Sequence, residues 1–135
     1  MNIQQVFDEL HSDDPAIVIR AIRILGVLRE KSSVPALIEI LQTGHEWEAI
    51  EAARALGKIG DTRAILPLQD VLLDNDRFMA DMRTREITDS RELSGWEQLM
   101  LDAEDLRFTC LNALKQIGTR QAMEIFRVFS ESESG

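Results

Sequence analysis

Several landmarks in this chain recur at one interval: Leu25-Gly26 precedes Leu56-Gly57 by 31 residues, Leu37 precedes Leu68 by 31, and Leu10 precedes Leu41 by 31. A unit of about that size cannot bury its apolar face alone, so a chain built this way must stack each copy on the next. The best-preserved copy reads Arg54-Ala55-Leu56-Gly57-Lys58-Ile59-Gly60-Asp61-Thr62-Arg63-Ala64-Ile65-Leu66-Pro67-Leu68. Leu56 and Ile59 are spaced to share one helical face, with Ala55 keeping that helix slim. Gly60 can take the left-handed conformation that ends a helix, and Asp61-Thr62 can cap the next one. Ile65, Leu68, Val71 and Leu72 then recur at three- and four-residue steps, and Pro67 falls in the opening turns, where its missing donor costs little. The pattern predicts pairs of helices joined by tight turns.

Taking that register along the chain predicts a capping helix within residues 1–12, with Val6 and Leu10 on its buried stripe, and a first repeat over 13–43. In that repeat Asp14-Pro15 opens a helix through Ile17, Ala21, Ile24, Leu25 and Leu28, and Val34-Pro35 opens its partner. A second repeat over 44–74 places Trp47, Ile50, Ala53 and Leu56 at three-residue steps on its first helix. The register then breaks, because Leu114 and Gly118 match Leu56 and Gly60 only at an offset of 58 residues. The sequence therefore predicts an insertion over 75–101, a third repeat over 102–130 and a frayed tail over 131–135. Within the insertion Trp96, Leu99, Met100, Ala103 and Leu106 fit a helix that extends the third repeat's first helix upstream.

The turn over 55–68 resembles the HEAT-like repeats of the phycobilisome lyase family, which read roughly Ala-Leu-Gly-x-Ile-Gly-Asp-x-x-Ala-x-x-x-Leu. The resemblance implies an all-α fold, a short right-handed α-solenoid of HEAT-like helix pairs. Its Leu/Val-Arg pair is kept only in the last copy, as Leu106-Arg107, where the earlier copies have Ile17-Val18 and Glu48-Ala49. Because unrelated functions share this repeat, the resemblance speaks for fold more than activity.

A net charge of −9 and a pI near 4.7 argue against nucleic acid or an anionic membrane as partner, since phosphate binding needs concentrated Lys and Arg. The opening Met1-Asn2-Ile3-Gln4-Gln5 lacks a signal-peptide pattern, no apolar run approaches the ~20 residues of a membrane span, and the single Cys110 fits a reducing compartment. These features predict a soluble, cytoplasmic chain.

No catalytic, cofactor or metal constellation stands out. HEAT-like iron hydroxylases hold a di-iron centre with several His-Glu pairs inside successive helices, whereas His45-Glu46 is a single pair at a helix mouth. His11 reads as a polar residue ending the first helix, and two histidines with no adjacent serine or cysteine cannot form an acyl-transfer triad. Cys110 aligns with Ala21 and Ala52, which marks it as a small core residue. Gly57 and Gly60 end a helix rather than open one, so no phosphate loop is present.

Two surfaces stand out as candidate binding sites. Asp8, Glu39 and Asp70 lie 31 residues apart and form an acidic ladder down the second helices of the pairs, suited to a basic partner. The insertion combines charge with Phe78, Met79, Met82, Arg83, Arg85 and Trp96, residue types that make adaptable protein contacts. The alternative for its apolar residues is that they fold back and seal the gap between repeats. The reading is a non-catalytic protein-interaction module. The resemblance alone implies a phycobilin lyase or bilin-handling chaperone subunit as the other reading, and self-association through a stack end bearing Phe126 and Phe129 is a third.

Overall fold

The computed structural model describes residues 2–84 and 90–131, with side chains described at all of these except 46 and 78–101. Among the described residues there are seven α-helices and no strand: α1 (Ile3–Glu9), α2 (Pro15–Leu28), α3 (Val34–Thr43), α4 (Glu46–Ile59), α5 (Ile65–Thr84), α6 (Ser90–Ile117) and α7 (Arg120–Glu131). Single turns of 3-10 helix at Lys31–Ser33 and Thr62–Ala64 lead into α3 and α5. α2, α4 and α6 pack side by side, α3, α5 and α7 form a second layer, and α1 packs on α2. One continuous apolar core lies between the layers, from Val6 through Leu25, Leu56 and Leu72 to Leu114 and Phe129.

Local chemistry sets the helix ends. Asn2 and Asp14 each accept a backbone N–H two residues on, from Gln4 and Ala16, at 3.0 Å, and Pro15 follows Asp14 as the first helical residue. Asp61 accepts the Arg63 N–H at 2.9 Å. Gly60 (φ 74°) and Gly118 (φ 70°) end α4 and α6 in the left-handed conformation. The same position after α2 holds Arg29, left-handed at φ 52°, the one non-glycine in that region among the described residues. Its N–H bonds the carbonyl of Gly26, and the N–H of Glu30 bonds that of Leu25.

The central helix α4 is covered on both sides, which is why Ala49, Ala52, Ala53 and Ala55 line it. It approaches its neighbours through glycines one repeat apart: a Cβ added to Gly26 would fall 3.0 Å from the Ala55 Cα, and one added to Gly57 would fall 2.8 Å from the Ala113 Cα. In α6 the corresponding position is the exposed Lys115.

Two expected faces are corrected. Trp47 is 70% exposed rather than aligned with Leu56. Three-residue steps at 100° per residue drift around a helix, so nine residues bring Trp47 to the opposite side. In α2 the buried stripe is Val18, Ala21, Ile22 and Leu25; Ile17 and Ile24 are half-buried, and Leu28 at the helix end is exposed. At the other end of the stack Phe129 is buried and Phe126 is half-buried against the core, while Met123 and Val128 of α7 are exposed.

The break in register is helical. Ile65 to Asp74 of α5 correspond residue for residue to α3, and Glu104 to Ile117 of α6 correspond to α4. Beyond these, α5 runs on to Thr84 and α6 begins at Ser90. At 1.5 Å per residue the extra segments add roughly 15 and 21 Å to the two helices. The upstream extension of α6 is as the sequence predicts.

Candidate functional site

The continuation of α5 past Asp74 is tied in by polar groups at its root. Asn75, on the repeat position that Gly44 occupies after α3, is buried and donates from Nδ2 to the Ala103 carbonyl of α6 at 2.6 Å. Arg107 of α6, also buried, donates from Nη2 to the Phe129 carbonyl of α7 at 2.5 Å, with Asp76 Oδ1 of α5 at 3.5 Å from Nη1. The arginine that the repeat pattern keeps only in its last copy thus links α5, α6 and α7 where the extension leaves the stack.

Beside this root lies a groove of about 660 Å³, bounded by the end of α3, the start of α4, and α5 and α6. Leu41, Ala49, Val71 and Leu106 supply apolar walls, and Leu73, 39% exposed, lies at the groove. Asp70, Asp74 and Asp102 line it as well, and among the described residues Arg77, 3.8 Å from Asp74, is its cation. A groove with apolar walls and the exposed carboxylates of Asp70 and Asp74 can take a segment that is apolar on one side and basic on the other.

Of the acidic ladder, the structure brings Asp70 to this groove; Asp8 and Glu39 are exposed on α1 and α3 and do not line it. Arg85 lies outside the described residues, as do the side chains of Phe78, Met79, Met82, Arg83 and Trp96. Sequence reasoning passed over Asp74, Asn75, Arg77 and Asp102. A signal for Asn75 was available: a helix-compatible polar residue stands where the previous repeat has its terminating glycine.

Cys110 is fully buried, and desolvation pushes its thiol up to about 12, so no thiolate nucleophile is present near neutral pH. Glu51 is held below the usual carboxylate range, first by the hydrogen bond from Arg23 at 2.8 Å and also by Arg54 at 3.0 Å. His11 and His45 are exposed, His45 as the N-cap of α4. Among the described residues no group of three or more His, Cys, Asp or Glu side chains is placed to hold a metal ion, and no helix is long and apolar enough to cross a membrane.

Helix pairs stacked in two layers on a 31-residue register define an α-solenoid. The family model for HEAT repeats matches residues 3–85, more than half of the chain, and the chain belongs to that family. The match is to the repeat itself and carries no bilin chemistry with it. α6 and α7 lie beyond the matched stretch and join the stack through their packing and their 58-residue offset. No curated protein matches the chain. HEAT repeats are in general protein-interaction scaffolds.

Proposed function

We propose that this chain is a non-catalytic protein-interaction module that holds a basic amphipathic segment of a partner protein in the groove at the root of the α5–α6 extension. The observation that carries this reading is the groove itself, where the exposed Asp70 and Asp74 stand beside apolar walls and Arg77 is the cation among the described residues. Apolar burial supplies affinity, and the carboxylates select the charge of the partner. On this reading Phe78, Met79, Met82, Arg83, Arg85 and Trp96 of the insertion add contacts beyond the groove, and Asp8 and Glu39 extend an acidic approach that raises the association rate.

A fluorescein-labelled helical peptide of Leu and Lys, apolar on one face, tests the groove by anisotropy. The intact chain binds it, and Asp70→Lys with Asp74→Lys weakens binding at least about tenfold with unchanged helicity, because both residues are exposed. Equal binding by the variant removes the groove from the account. Serine at Phe78, Met79 and Met82 separately tests the insertion, with loss of binding expected and unchanged binding contradicting its role.

A further inference from the structure

The opposite side of α4 and α6 carries a cleft of the other charge. Arg54 and Lys58 of α4, with Phe108, Asn112 and Lys115 of α6, surround about 660 Å³ of open space in which no acidic residue lines the wall among the described residues. An adjoining hollow of about 380 Å³ shares Arg54 and Phe108 and adds Trp47, Ile50, Glu51 and Asp105. The two form one cleft along the α4–α6 seam, aromatic at the Trp47 end with Asp105 at its edge, and basic at the Lys115 end.

Neither feature is what the repeat requires. Phe108 stands on the position held by Ile19 and Ile50, both half-buried, yet it is 67% exposed, and Trp47 is 70% exposed. Two solvated aromatics on one seam are a recognisable contact feature. Glu51 is neutralised between Arg23 and Arg54, at 2.8 and 3.0 Å. Lys58 and Lys115 make no ion pair with a described residue, in a chain whose acids outnumber its bases by 24 to 15. Each lysine sits in the last turn of its helix, where a cation offsets the macrodipole, but that role calls for no aromatic neighbour.

We infer that this cleft docks an acidic segment of a partner protein that carries one apolar or aromatic side chain. That side chain rests against Trp47, Ile50 and Phe108, and two or three carboxylates lie over Arg54, Lys58 and Lys115. The net charge of −9 does not forbid this, because at physiological salt fields decay over about 8 Å and the local cations dominate within the cleft. A nucleic-acid strand fits less well, since its phosphates continue past three cations onto Asp105 and the acidic remainder of the surface.

Trp47 is itself the reporter. With Trp96→Phe as background it is the sole tryptophan of the full chain. The probe is a short capped peptide of Asp and Glu around a Leu-Phe pair. The expected result is a saturable blue shift of Trp47 emission with submillimolar affinity, weakened at least about tenfold by Lys58→Glu with Lys115→Glu and also by raised salt. Phe108→Ser abolishes the shift with unchanged circular dichroism. The inference is overturned if no saturable shift is seen, if the charge-reversed chain binds equally, or if the peptide with Lys in place of each acid gives the same shift. It is likewise overturned if oligothymidylate binds more tightly than the peptide, or if the emission shifts with chain concentration alone, which would make a second copy the occupant.

Discussion

Gly57→Ala is the substitution that most directly probes how α4 and α6 are held together. The added methyl would lie 2.8 Å from the Ala113 Cα and 3.0 Å from its Cβ, against about 3.5–4.0 Å for an ordinary carbon contact. Both atoms belong to the neighbouring helix and cannot rotate away, so α4 and α6 must separate by roughly 1 Å and loosen the contacts on either side. Overpacking of this kind costs about 1–3 kcal/mol, while alanine in a helix interior returns up to about 1 kcal/mol of propensity. A net loss of about 1–2 kcal/mol follows, which for a chain of this length lowers Tm by roughly 4–8 °C. Thermal melts followed at 222 nm measure it. Lys115→Ala, on the same repeat position and exposed, changes stability by less than about 0.5 kcal/mol. Pairing Gly57→Ala with Ala113→Gly recovers part of the loss. A Gly57→Ala chain that melts at or above the parent refutes the reasoning, because propensity would then outweigh the close approach.

Arg29→Gly relieves a left-handed arginine and raises stability by about 0.5–1 kcal/mol in a urea titration, whereas Gly60→Ala, at φ 74°, lowers it by a similar amount. Asn75→Ala removes the buried bond to the Ala103 carbonyl and costs about 1–2 kcal/mol, read from the same titration. Glu51→Gln costs about 1 kcal/mol near neutral pH; because the folded carboxyl titrates below its ordinary value, that difference is present above about pH 4.5 and shrinks on further acidification. Cys110 resists a thiol reagent in the folded chain and reacts on unfolding. With its thiol raised from an ordinary value of 9.0 to about 12, the parent loses stability more steeply than Cys110→Ala as pH rises through that window, since only the unfolded chain ionises there.

The helix pairs were legible because their punctuation is local. Pro15, Gly60 and Asp61 act within a turn of where they sit, and the 31-residue register multiplies one reading into several. Trp47 was misassigned because a three-residue step resembles a helical stripe over one turn and departs from it over three. The groove was only partly legible. Asp70 follows from the register, but Asp102 reaches the same space from α6, across the register break, through the packing of the extended helices. The cleft between Trp47 and Lys115 is likewise a product of which sides of α4 and α6 face out, a property of the assembled stack that no single repeat displays.

On the function proposed above, the root of the α5–α6 extension is a recognition site. Affinity capture from the native cell lysate tests it most directly, comparing the intact chain, the chain with residues 76–101 replaced by a Gly-Ser linker, and the Asp70→Lys with Asp74→Lys chain. The account predicts a protein retained by the intact chain and lost from both variants. The same proteins retained by all three would contradict it, leaving the extension and the groove as structural parts of the stack.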